Sequence, residues 1–383
     1  MSGRPLRFVV VGPGFRAGAF LRAAAALPQL SCVGVVVRRP RDLGLPTFGS
    51  LAECLQQTRP ELVLTAVPWS VTPQLVPEAV RHGVPVLAET PPAPDVEAMR
   101  ALWDEVGGSG LVQVAEQYLL LPSHAARLAV VRSGAIGTPT QVQISSTQYY
   151  HAVSLVRGLL GAGRVPLTVR ADRFEAPLVH PLGRQGWTGD PEPRPTANVV
   201  ATLDLGDGRS GVYDFVDGQT RNPLRHRRTL VRGTSGELAE DEVVRVTATD
   251  TVTTSRLERR QTGHDLDLHG YDTDTITFDG EVVYRNPFFG HRWDDDEIAT
   301  AALLLRTRDW LRGEGPEPYP LADGCYDHHV GLAIDAAASS GERVRVEGEP
   351  WVDGGTGLLD SAEAGVVESG PAPLVPDEME ELP

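Results

Sequence analysis

The stretch Phe8-Val9-Val10-Val11-Gly12-Pro13-Gly14-Phe15-Arg16-Ala17 decides how the rest of the chain is read. Four apolar residues run into a glycine turn, and an alanine-rich segment over residues 16–27 follows as a helix. Gly12 permits a tight turn out of a buried strand, and Gly14 lets backbone N–H groups approach a phosphate with no Cβ in the way. Ala17 stands where a third glycine would allow close helix-to-strand packing. The unpaired amides and the positive end of the helix favour an anion. Gly12, Pro13, Gly14, Phe15 and Arg16 are therefore expected to receive the pyrophosphate of a dinucleotide.

Working outward, a second apolar run over residues 32–37 ends in Arg38-Arg39-Pro40-Arg41. In a dinucleotide domain the end of this strand meets the adenosine ribose. An acidic residue there binds a 2'-hydroxyl, whereas arginine suits a 2'-phosphate. No acidic residue precedes Asp42, so Arg38 and Arg39 point to NADP(H) ahead of NAD(H). NAD(H) stays open, because both arginines also read as solvated loop charges.

Further strands are expected over residues 62–67, 84–89 and 111–116, alternating with helices over 50–55, 73–82 and 94–106. Such alternation implies a doubly wound parallel sheet, an α/β Rossmann domain over residues 1–121, with ligands at the carboxyl ends of its strands. Those ends carry Val67-Pro68-Trp69, Glu89-Thr90-Pro91 and Glu116-Gln117-Tyr118. Val67, Pro68, Trp69, Glu89, Thr90 and Gln117 are expected to converge on the nicotinamide half of the cofactor.

From residue 122 the pattern changes. Helices over 122–133 and 152–160 flank a strand over 140–145, and Tyr149-Tyr150-His151 precedes the second helix. Period-two stretches then follow over 168–174, 197–205, 211–216, 228–231, 242–248 and 281–284. Residues 122–351 thus read as an α+β domain with a large, mostly antiparallel open sheet, closed by helices over 295–312 and 327–339. Residues 352–383 are acidic and rich in Gly and Pro, a composition that cannot offset the cost of ordering, and read as a disordered tail.

Composition narrows the functional class. At 41% hydrophobic and 22% charged residues the chain is of the globular type, and its 383 residues argue for two domains. A net charge of -16 argues against a nucleic-acid partner. Three cysteines without ligand spacing give neither a disulfide framework nor a zinc site. No apolar run approaches the roughly 20 residues needed to span a bilayer. With the first strand starting near Leu6, no cleavable signal is expected, and the protein is expected in the cytoplasm.

At residues 6–351 the sequence resembles the glucose-fructose oxidoreductase, inositol dehydrogenase and rhizopine-catabolism family, Gfo/Idh/MocA. The resemblance is carried by the glycine turn, Ala88-Glu89-Thr90-Pro91, Ser133-Gly134-Ala135-Ile136-Gly137, Gly233-Thr234-Ser235-Gly236-Glu237-Leu238, the closing helices and the ending at Trp351. It implies NAD(P)-dependent redox chemistry on sugars, inositols or related polyols, and a homodimer or homotetramer formed through the open sheet. Two positions depart from the family's pattern. Thr90 stands where the resemblance implies a lysine beside the nicotinamide, and Ser154 where it implies an aspartate three residues after His151.

Oxidising a secondary alcohol requires a base for the hydroxyl proton, and histidine suits that task near neutral pH. His151 is therefore the expected general acid/base, with Tyr118 and Tyr150 as hydroxyl donors and Thr90 as a hydrogen-bonding side chain without the lysine's charge. For substrate contacts, Trp187, Gln219 and Arg221 join Tyr118 and His151. No metal site is expected: His264, Asp265, Asp267 and His269 read as a solvated face, adjacent His328 and His329 point to different sides of a helix, and Asp294-Asp295-Asp296-Glu297 reads as a helix N-terminus. His124 reads as a cap or surface residue. Two readings remain: an oxidoreductase, or a non-catalytic, regulatory relative that keeps the fold.

Overall fold

In the computed structural model, residues 4–39, 42–263 and 269–352 are described. The expected disordered tail and the stretch of His264, Asp265 and Asp267 lie outside them, apart from Val352.

The first unit alternates as expected: β1 (Leu6–Val11), α1 (Phe15–Ala26), β2 (Leu30–Val36), β3 (Thr47–Phe48), α2 (Leu51–Thr58), β4 (Leu62–Thr65), α3 (Thr72–Arg81), β5 (Val86–Ala88), α4 (Val96–Val106) and β6 (Val112–Val114). The strands form one parallel sheet in the order β3-β2-β1-β4-β5-β6. Its centre is apolar on both faces, as a sheet covered by helices on each side demands, with Phe8, Val9 and Val10 of β1 wholly buried. The edge strand β3 was not expected from sequence. Ser50 and Asp95 cap α2 and α4 by accepting the backbone N–H groups of Glu53 and Ala98.

The second unit opens with α5 (Pro122–Arg132), β7 (Pro139–Ser145) and α6 (Tyr149–Leu160). After these come β8 (Leu167–Leu178), the short hairpin β9 (Leu182–Gly183) and β10 (Gly186–Trp187), β11 (Arg194–Gly206) and β12 (Arg209–Val216). Next are β13 (Arg228–Gly233), β14 (Gly236–Ala239), β15 (Glu242–Ala248), β16 (Thr251–Thr262), β17 (Asp272–Phe278) and β18 (Glu281–Arg285). The last elements are α7 (Asp295–Leu311), α8 (Leu321–Ser340) and β19 (Val344–Val346). Eleven strands make one sheet in the order β18-β17-β16-β15-β14-β13-β7-β12-β11-β8-β19, antiparallel except for the pairing of β7 with β12.

Helices α6 and α8 cover one face of this sheet, where Val153, Val156, Val330 and Ile334 meet its buried side chains. Phe174, Val244, Val246 and Val252 are exposed on its strands. Between α6 and α8 lies a buried ionic cluster. Arg157 donates to Asp327 at 2.7 Å and to Asp323 at 2.6 Å, and the Tyr319 hydroxyl donates to Asp327. Removing one partner from such a cluster would leave an uncompensated buried charge, so the cluster fixes how the two helices sit against each other.

Two helices differ from the sequence expectation. Instead of closing the large sheet, α7 returns to the first one: Ile298, Leu303 and Leu304 share a core with Phe8, Phe20, Leu62 and Leu64. Arg22 pairs with Glu297 across the α1–α7 contact. And α8 begins at Leu321, six residues before the expected start at Asp327. Gly324 lies inside it, because a Cβ there would come within 2.5 Å of Val114 Cγ2.

Candidate active site

The glycine turn is built as its sequence requires. Gly12 adopts φ +94°, and a Cβ on it would lie 2.6 Å from the Ala66 carbonyl oxygen and 2.8 Å from Val67 Cγ1. Only glycine meets both conditions. Gly14 is the N-cap of α1 and contributes no side chain, and the first turn of the helix contains no acidic residue. The helix N-terminus is thus left for an external anion. Beside it a cleft of about 450 Å³ is lined by Pro13, Val37, Arg38 and Arg39, placing both arginines at the end of β2 as expected.

Arg16 turns from the first turn of α1 towards the strand ends. Its Nε lies 3.4 Å from Glu89 Oε2, and its Nη1 donates to Asp296 Oδ2 at 2.9 Å. Gln117 Nε2 donates to Asp296 Oδ1 at 3.1 Å. Asp294 and Glu297 form a capping box at the start of α7, in keeping with the acidic run, but Asp296 does more: it ties Arg16 and Gln117 to α7. Burial raises the pKa of Glu89, opposed by Arg16 and then by His151.

At the carboxyl end of β6, Glu116 is buried and its Oε2 lies 2.6 Å from His151 Nδ1. Its other oxygen accepts the Tyr118 backbone N–H at 2.9 Å. The carboxylate is thus held by the main chain on one side and by the imidazole on the other. His151 sits in the first turn of α6, which begins three residues earlier than expected. Tyr149 opens that helix at φ +38°, a strained region for a residue with a Cβ, of the kind that clusters at functional sites. The close approach of α8 there is allowed by Gly331, where a Cβ would stand 3.2 Å from Tyr149 Cβ.

Two tyrosines flank the imidazole: the Tyr118 ring stacks on it at 4.1 Å, and the Tyr150 ring lies tilted at 4.4 Å. Burial raises both phenol pKa values, so each is a neutral hydroxyl donor at physiological pH. Thr90 stands beside the Tyr150 hydroxyl and also donates to Glu89 Oε1 at 3.4 Å. Trp69, half exposed on the loop after β4, approaches the His328 ring at 6.2 Å, and His328 in turn meets Tyr150 edge-on at 5.8 Å. Burial lowers the His328 pKa to about 4.

The structure therefore brings together Arg16, Glu89, Thr90, Gln117, Tyr118, Tyr150 and His151, with Trp69 at the rim through His328. It does not bring in the remaining substrate candidates. Gln219 is buried, and its amide is committed to the backbone: it accepts from Val216 and donates to the Ser145 and His226 carbonyls. Trp187 lies exposed on β10, and Arg221 is exposed in a short turn after β12. His124 is buried instead of capping or lying on the surface. Ser154 is also buried, and its hydroxyl has no hydrogen-bond partner among the described residues.

Glu116, Asp296 and His328 were read from sequence as a strand end, part of a helix N-terminus and a non-ligating helical histidine, and none of them was assigned to this site. Only Glu116 carried a local signal, its position at the end of a parallel strand.

The donor set fits a nicotinamide dinucleotide. The turn offers free amides and no Cβ, and Arg16 Nη2 and Gln117 Oε1 are buried polar atoms without a hydrogen-bond partner among the described residues. Such orphaned groups at the strand ends suit a polar ligand. Fold and turn together define a Rossmann-type dinucleotide domain joined to a second domain built on a large mixed sheet.

Residues 6–116 match the family described as oxidoreductase family, NAD-binding Rossmann fold, Gfo/Idh/MocA. The match spans the first domain of the chain and gives it as an NAD-binding Rossmann fold of the oxidoreductase type. No curated protein sequence matches the chain.

Among solved structures, a myo-inositol dehydrogenase from Corynebacterium glutamicum is 19% identical at a TM-score of 0.63, covering 90% of this chain and 100% of that one. A levoglucosan dehydrogenase in complex with NADH is 17% identical at 0.65, covering 90% and 100%. An oxidoreductase from Agrobacterium radiobacter, in complex with NAD+, L-tartaric acid and magnesium, is 17% identical at 0.65, covering 88% and 98%. At these identities the likeness concerns the fold, and it extends over both sheets.

Proposed function

We propose that the protein oxidises a CH–OH group of a sugar, inositol or related polyol, or reduces the matching ketone, with His151 as general acid/base and NADP(H) as the favoured cofactor. The observation that carries this reading is the 2.6 Å contact between His151 Nδ1 and Glu116 Oε2 at the strand ends. When bound, NAD(P)+ supplies the hydride acceptor. With Nδ1–H donated to Glu116, the imidazole keeps its Nε2 lone pair free to take the substrate hydroxyl proton as the carbon loses hydride. The carboxylate then stabilises the imidazolium that results.

Tyr118 and Tyr150, held neutral, can donate to substrate oxygens, and Thr90, beside the Tyr150 hydroxyl, stands where the resemblance implies a lysine. A polyol-like substrate is in keeping with related structures, since one solved levoglucosan dehydrogenase contains NADH and levoglucosan. Arg38 and Arg39 favour a 2'-phosphate over a 2'-hydroxyl. The exposed apolar side chains Phe174, Val244 and Val246 suit a subunit contact that would give a dimer or tetramer.

The test is to incubate purified protein with NADP+ or NAD+ and a panel of inositols, monosaccharides and anhydrosugars, following reduced nicotinamide by its absorbance. Turnover with at least one polyol, lost in His151→Ala, supports the reading. Nucleotide binding with no turnover on any polyol or keto-sugar would favour the non-catalytic alternative, and undiminished turnover in His151→Ala would remove that residue from the mechanism.

A further inference from the structure

The hairpin of β9 and β10 stands apart from both large sheets. Its strands pair Leu182 with Trp187 and Gly183 with Gly186, which leaves Arg184 and Gln185 as a two-residue tip. Its feet are pinned: Asn222 Nδ2 donates to the Val179 carbonyl at 2.8 Å, His180 Nε2 lies 2.9 Å from Thr196 Oγ1 on β11, and Thr188 N–H donates to the Pro181 carbonyl at 2.9 Å. The tip reaches across to the first domain, where the Arg184 guanidinium lies over the Phe15 ring, 5.8 Å from its centroid. Phe15 is the first residue of α1, directly after Gly14, and is 80% exposed.

From these contacts we infer that the hairpin is a clamp on the dinucleotide and that Arg184 binds its pyrophosphate from the side opposite the glycine turn. Charge is the first argument. Arg16 is the other cation at the start of α1, and it is already faced by two carboxylates, Glu89 and Asp296. Arg184 has no carboxylate partner among the described residues, so its charge is available to the two negative charges of a pyrophosphate.

Geometry is the second argument. A guanidinium over the ring of the first helical residue is brought to the end of α1 where the free amides lie, and its planar, multi-donor head suits phosphate oxygens. A large apolar ring left open at this position gains cover when Arg184 and a nucleotide enclose it. Because Arg184 belongs to the second domain and the turn to the first, the clamp would join both domains to one ligand.

The inference rests on the nicotinamide-dinucleotide reading above. Its test measures equilibrium binding of NADPH, NADH and ADP-ribose to the full-length chain by calorimetry, in wild type, Arg184→Ala, Arg184→Lys and Gln185→Ala. ADP-ribose carries the pyrophosphate without nicotinamide. Arg184→Ala is expected to weaken all three ligands by about tenfold and to the same degree, the scale of one charge-assisted contact. Arg184→Lys should recover part of the loss, and Gln185→Ala should bind as wild type does.

ADP-ribose affinity in Arg184→Ala within about twofold of wild type would overturn the clamp while leaving the nucleotide reading intact, as would an equal loss in Gln185→Ala. Absence of dinucleotide binding in the wild type would overturn both.

Discussion

Nδ1 of His151, in the first turn of α6, lies 2.6 Å from Oε2 of Glu116, at the end of β6, so the proposed base is held by a carboxylate from the other domain. The pair joins the end of the first sheet to the first helix turn over the second, the place at which the proposed function puts the reacting hydroxyl. Replacing the carboxylate by its amide keeps the volume but removes the negative charge and permits the wrong imidazole tautomer. Glu116→Gln is therefore expected to lower kcat by about 100-fold, within the range for a positioned acid/base, while leaving dinucleotide affinity unchanged. Turnover assays beside a binding titration check the split.

The turn itself leaves no room for a side chain. With φ at +94° and the Ala66 carbonyl oxygen 2.6 Å from the position a Cβ would take, Gly12→Ala must displace either β1 or the β4 end loop. Loss of NADPH and NADH binding together is expected, read by calorimetry on protein whose far-ultraviolet circular dichroism matches wild type. Retained affinity would show that the nucleotide sits elsewhere.

Cofactor choice is tested at the β2 end. Arg38 and Arg39 line the cleft beside Pro13, so the double variant Arg38→Ala/Arg39→Ala is expected to weaken NADPH by about tenfold or more and NADH by less than about twofold. Equal weakening of both nucleotides would mean that the arginines serve the shared phosphates and not the 2'-phosphate.

His124 gives a prediction in pH. Burial, with Arg127 and Arg227 nearby, lowers its pKa from the ordinary 6.5 to about 3. In the unfolded chain it takes up a proton as the pH drops below about 6.5, whereas in the folded chain it stays neutral, so stability falls with falling pH. Its contribution is about 1.4 kcal/mol per pH unit, or roughly 2 kcal/mol between pH 6.5 and about 5. In urea unfolding at about pH 7.5 and about pH 5, His124→Gln should show a correspondingly smaller difference between the two conditions than wild type. An unchanged difference would contradict the buried neutral state.

What was legible in the sequence is what is local. The strand, glycine turn and helix at residues 6–26 lie adjacent in the chain, and their chemistry is visible in Gly12, Gly14 and Ala17. His151 was legible as the residue type the chemistry needs. Its partner was not, because Glu116 lies 35 residues earlier and meets it only when α6 docks on the ends of the first sheet. The family-like position at Ser154 pointed along the helix instead.

Strand β16 escaped for a different reason. Much of β16 is exposed along both faces, so no alternation of apolar and polar residues marks it. Gly324 disguised the first turns of α8, because a glycine there reads as a break when it is in fact a contact with Val114. Gln219 looked like a polar ligand to a sugar, and only the fold reveals that its amide is spent on the backbone of its own turn.

The most direct test of the central claim is single-turnover reduction of bound NADP+ by a polyol that the wild-type protein oxidises, compared in His151→Ala and Glu116→Gln. The expected result is that both variants bind the nucleotide as wild type does, while the hydride-transfer rate falls by about 100-fold or more in His151→Ala and by a similar order in Glu116→Gln. Wild-type rates in both variants would contradict the assignment of the His151–Glu116 pair as the proton acceptor.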